Sequence, residues 1–100
     1  MKKRATAEER RHMALVASLG CIACRQESPL SLAAAELHHV RSRAGAGQRA
    51  KHDEVIPLCP DHHRTGGYGI AFHAGPKIWQ ETYGTEEQLL YHTKLELEQL

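Results

Sequence analysis

Apolar and polar positions along this chain follow helical spacing in some stretches and two-residue alternation in others, which divides it into short elements. Residues 7–19, AEERRHMALVASL, begin with charge and turn apolar at Ala14, Leu15 and Val16. Thr6 is placed to cap a helix there and Gly20 to stop it. CIACRQESP predicts a tight turn at Cys21–Cys24 and then a loop, and LSLAAA at 30–35 has no clear period. In ELHHVR at 36–41, Leu37 and His39 alternate with His38 and Val40, as in a strand. EVIPLC at 54–59 carries β-branched residues and predicts a second strand, ended by Pro60. Pro60 suits the first turn of a short helix over 60–65, which Gly66 and Gly67 terminate. YGIAFHAG is irregular, whereas PKIWQETYG at 76–84 has proline at its start and glycine at its end, the helix asymmetry. Thr85 and Gln88 form a capping-box pattern that opens a final helix within 85–100.

The expected fold is therefore a single α+β domain over 1–100, with two short strands, a helix after them and flanking helices. Composition adds one constraint. The hydrophobic share of 41% leans on alanine and only 5% of residues are aromatic, so the core is thin and a structural metal would help to hold it. The formal charge of +1 gives no global signal for a polyanion. Local charge says more: basic residues crowd an N-terminal arm over 1–12 that runs into the first helix, and a Gly/Ala-containing loop over 41–53. The start MKKR…LGC resembles a lipoprotein signal, but its apolar stretch from Met13 to Leu19 is very short and Glu8 and Glu9 lie before it. No stretch is long enough to span a membrane, so a soluble, cytoplasmic protein is expected.

Eight histidines and three cysteines change the picture most. Cys21-x2-Cys24 and Cys59-x2-His62 are two half-knuckles, and zinc takes four tetrahedral N/S ligands. Cys21, Cys24, Cys59 and His62 make a complete structural zinc set with no cysteine left over. His63 could exchange with His62 in that set; His62 is favoured because it holds the place of the second cysteine of an ordinary knuckle. The remaining ring of the pair is then free for a second site, since helix neighbours point about 100° apart. His38 and His39 are adjacent on a strand and face opposite ways, so one of them can bind a metal while the other serves as a base.

ELHHV, a loop, and DEVIPLCPDHHR together resemble the HNH, or ββα-metal, endonucleases. With CIAC, FHAG and YGTEEQLL, the stretch 18–91 is most similar to the phage recombination-enhancement nuclease Ref family. The resemblance implies a small zinc-stapled ββα-metal core and metal-dependent hydrolysis of DNA phosphodiesters. In that pattern His39 is the general base, His38 binds the catalytic metal, and His63 on the helix completes the shell. The central asparagine of the pattern falls near Asp53 and Glu54, which makes Asp53 a candidate for orienting the base. A further ligand expected one turn after the helix histidine is replaced by Gly67, and His73 is the candidate substitute. The catalytic ion implied is Mg²⁺ or Mn²⁺, with zinc also accepted by imidazoles. The implied partners are DNA and a RecA filament on single-stranded DNA, in a bacterial host with a phage- or prophage-encoded chain.

Arg41, Arg43, Arg49, Lys51 and Arg64 are candidate DNA-backbone contacts, because clustered cations beside the scissile site bind phosphate. No helix reads as a groove reader, so weak sequence specificity is expected. His12, His52 and His92 read as solvated residues, and Trp79 and Tyr83 as core. The competing reading is a non-catalytic, zinc-structured module that binds DNA or a protein. Such a module has no use for His38, His39 and His73 together.

Overall fold

The computed structural model describes residues 4–41 and 51–100. Helix α1 spans Ala7–Ser18, α2 Ile22–Glu27, strand β1 Glu36–His39, strand β2 Val55–Leu58, α3 Pro76–Tyr83 and α4 Glu86–Glu98. Between β2 and α3 lie a π-helical turn over Asp61–Thr65 and a 3-10 turn over Phe72–Ala74. The protein is thus mixed helix and sheet, with a ββ-helix unit at its centre.

Caps set most of these boundaries. The Thr6 hydroxyl accepts the Glu9 N–H at 3.0 Å while the Glu9 carboxylate accepts the Thr6 N–H at 2.8 Å. Thr85 and Gln88 repeat the arrangement at α4, with bonds of 3.1 and 2.9 Å. Gly20 leaves α1 with φ of +80°, a left-handed turn that glycine adopts without strain. The segment after it corrects the expected tight turn and loop. Cys21 is a helix N-cap whose sulfur accepts the Cys24 N–H at 3.3 Å, and α2 continues to Glu27. A thiol is not among the usual caps, so the sequence pattern gave no helix start there.

β1 and β2 pair antiparallel in the register Glu36↔Leu58, Leu37↔Pro57, His38↔Ile56 and His39↔Val55. Pro57 lacks an N–H, which is tolerated because, among the described residues, the sheet has two strands and each has an unpaired edge. All four residues of β2 are buried, since α1, α2 and α4 pack on it. Ile56 and Leu58 join Phe72, Trp79, Tyr83, Leu89 and Leu90 in the core. Phe72, Trp79 and Tyr83 stack in succession, with ring centroids 5.3 and 4.9 Å apart, and the Trp79 indole N–H donates to the Ile70 carbonyl at 2.9 Å. Trp79 and Tyr83 are core residues, as expected. Arg25 on α2 forks onto Glu96 and ties α2 to α4. Among the described residues, no helix is long and apolar enough to cross a membrane.

Candidate metal centres

The π-helical turn decides where two neighbouring imidazoles go. Pro60 starts it directly after β2, the Gly66 N–H returns to the Asp61 carbonyl at 3.0 Å, and His62 and His63 lie between. The wide turn sends His62 inward to the three cysteines and His63 toward β1.

At the first centre, His62 Nδ1 lies 3.7 Å from Cys21 Sγ, 3.4 Å from Cys24 Sγ and 3.2 Å from Cys59 Sγ; the Cys24 and Cys59 sulfurs are 3.6 Å apart. Bond lengths of about 2.3 Å to sulfur and 2.0–2.1 Å to nitrogen put tetrahedral ligands about 3.4–3.8 Å from one another. These four donors fit a metal ion such as zinc. The opposite ring nitrogen, His62 Nε2, is 3.2 Å from the Tyr83 hydroxyl and 3.2 Å from a Glu27 carboxylate oxygen, which hold the ring with Nδ1 inward. Burial, followed by the neighbouring thiols Cys21 and Cys59, pushes the Cys24 thiol up to about 12. A bound cation reverses that balance, because the thiolate is the ligand form.

The second centre joins His38, His63 and His73, each of which offers one ring nitrogen within 4.8 Å of those of the other two. His63 Nε2 and His73 Nε2 are 3.1 Å apart. His38 is 1% exposed, and its buried Nδ1 has no hydrogen-bond partner among the described residues. That orphaned nitrogen is costly in a protein interior unless a donor or a cation meets its lone pair. Each of the two better-buried rings is aimed by a carboxylate: His38 Nε2 is 2.8 Å from Glu86 and His63 Nδ1 is 2.7 Å from Glu36. This is the carboxylate–histidine pairing that orients metal ligands. Arg64 forks onto the same Glu36 at 2.7 and 3.1 Å and, with His63, holds its carboxyl below the usual carboxylate range. His73 stands at the exposed side, and partial desolvation and the facing His63 and His38 keep its ring below the ordinary imidazole value. The donors fit a cation bound by three imidazoles.

His39 stays out of this cluster, as expected from the strand alternation. It is half-buried, and its Nε2 faces His52 Nδ1 at 3.2 Å. Desolvation, then the facing His52, lowers its pKa below the ordinary imidazole value, which favours the neutral ring. Asp53 is exposed, and no hydrogen bond joins it to His39 among the described residues. Arg41 and Lys51 are exposed, and the Arg41 backbone N–H donates to Glu86 at 2.7 Å. Arg64 is exposed but engaged by Glu36, while Arg43 and Arg49 lie outside the described residues.

Five supporting residues escaped the sequence reading: Glu27, Glu36, His52, Tyr83 as a ligand partner, and Glu86. Glu36 left a signal, since it precedes His38 by two residues and so shares its strand face. Glu86 left none, being one acid in an ordinary helix first turn.

Among curated proteins no match is found. Over residues 5–98, nearly the whole chain, the sequence matches the family described as recombination enhancement, RecA-dependent nuclease. With that match added to the geometry of its Cys and His clusters, the chain belongs to the RecA-dependent nuclease family of recombination enhancement.

Proposed function

We propose that the protein is a metal-dependent DNA endonuclease of HNH type that acts on DNA carrying a RecA filament. The observation that carries this reading is the buried Nδ1 of His38, without a partner among the described residues, beside the open pair His63–His73. A zinc-structured binding module has no need of a second imidazole cluster in addition to its four scaffold donors.

Cys21, Cys24, Cys59 and His62 would hold a structural Zn²⁺, and His38, His63 and His73 a catalytic Mg²⁺ or Mn²⁺. A cation at the second centre supplies positive charge for the scissile phosphate and the departing 3′ oxygen. His39 is the general base. Its neutral ring takes a proton from water as the water oxygen bonds to phosphorus and the P–O3′ bond breaks, giving a 5′-phosphate and, after protonation by solvent, a 3′-hydroxyl. Glu86 and Glu36 keep the ligand rings aimed, and Asp61, which accepts the Thr65 hydroxyl at 2.8 Å, steadies the turn that carries His63. Arg41, Arg43, Arg49 and Lys51 are proposed to meet the DNA backbone. Arg64 joins them only if phosphate draws it from Glu36. Asp53 keeps at most an indirect role in bracing the turn next to the base.

The test is cleavage of DNA by purified His39→Ala with Mg²⁺, ATP and single-stranded DNA, with and without RecA. Removing a general base should lower cutting by roughly 100-fold or more, while Mn²⁺ binding and the fold stay intact. Persistent cutting would reject His39 as the base, and equal wild-type cutting in both RecA arms would reject filament dependence.

A further inference from the structure

We infer that His52 is the positioning residue for the proposed base: its Nδ1 accepts the Nε2–H of His39, leaving His39 Nδ1 as the atom that takes the proton. This rests on the reading of His39 as the base. The two rings meet edge to face, with centroids 5.3 Å apart, interplanar angle 77° and a 3.2 Å nitrogen–nitrogen separation.

One hydrogen occupies that contact, so only two polarities exist. If His52 donated, His39 would carry its own proton on Nδ1 and spend its lone pair on Nε2, leaving nothing to accept a proton from water. With His39 as donor, Nδ1 keeps its lone pair. Protonation then yields an imidazolium whose Nε2–H still points at His52, and no hydrogen bond has to switch during the reaction.

Backbone bonds fix the partner's position. The Glu54 N–H donates to the Lys51 carbonyl at 3.1 Å and closes the turn carrying His52. The Val40 N–H donates to the Glu54 carbonyl at 2.9 Å, clamping that turn beside His39 at the end of β1. His52 thus acts on the base from the position next to Asp53, the acid that the sequence pattern singled out.

Two substitutions in the full, zinc-bound chain separate a hydrogen-bonding role from packing. His52→Asn keeps an acceptor at the Nδ1 position and loses the ring; His52→Phe keeps the ring and loses the acceptor. In the Mg²⁺-loaded protein, ¹⁵N-detected NMR of His39 should show the Nε2–H tautomer in the wild type and in His52→Asn, and a tautomer mixture in His52→Phe. The Phe variant should lose roughly 10–100-fold in kcat with KM little changed, the range for removing a partner that orients an active-site histidine. The Asn variant should recover most of that loss. Full activity in His52→Phe, or an Asn variant as poor as the Phe variant with the tautomer unmoved, would overturn the inference. A cutting-competent His39→Ala would instead remove the base assignment itself, so the two failures are distinguishable.

Discussion

His62 and His63 are joined by one peptide bond yet serve opposite surroundings. The cluster around His62 is closed: three sulfurs and a nitrogen fill a tetrahedral set, and three of its four residues are buried. Among the described residues, the cluster around His63 offers three nitrogens, graded from the buried His38 to the exposed His73. A full shell holds a scaffold together, whereas a shell with vacant positions leaves room for water and a substrate oxygen. On the proposed reading, ligand count and exposure, more than ligand identity, would divide the labour between the two centres.

The comparison can be broken most forcefully at the closed centre. Cys59→Ser should release zinc and unfold the chain, seen as loss of near-UV circular dichroism together with metal content. Structural zinc contributes on the order of 10 kcal/mol or more, which rivals the roughly 5–15 kcal/mol by which small proteins are stable at all. A folded, metal-free Cys59→Ser protein would end the scaffold assignment. At the open centre the same kind of loss should leave the fold alone. His73→Ala removes an exposed donor, and calorimetric Mn²⁺ affinity should fall by about 100-fold or more, the upper end for disturbing a histidine ligand, with the thermal midpoint and zinc content unchanged. Unaltered Mn²⁺ affinity would exclude His73 from the shell. The mildest change sharpens the contrast: Glu36→Gln preserves shape and removes the charge behind His63. It should weaken Mn²⁺ by roughly tenfold and leave the Cys-centred site untouched; equal loss at both centres would mean that the turn, not the ligand ring, had been disturbed.

Much of this arrangement was legible in the chain because spacing and alternation are local properties. The x2 spacers brought Cys21 with Cys24 and Cys59 with His62, and strand alternation separated His38 from His39. The Thr6 cap, the capping box at Thr85 and Gln88, the strand pair and the glycine stops at Gly20, Gly66 and Gly84 followed from the same short-range chemistry, while the Glu9 half of the first box did not. What stayed hidden depends on distant elements. The helix at Ile22–Glu27 begins on a sulfur cap, which resembles no usual helix start. Glu86 reaches His38 only because α4 folds back across β2, a contact between residues 48 positions apart. His52 was read as solvated because nothing nearby in sequence reveals that the strand register sets it against His39.

The π-helical turn has one more consequence. Because a single peptide unit, about 3.8 Å from Cα to Cα, links the two ligand rings, the closed centre is a ready-made spectroscopic vantage point on the open one. Loading that centre with cobalt would place an unpaired-electron beacon beside the proposed reaction centre, so that a nucleotide docked there should show a broadened phosphorus resonance.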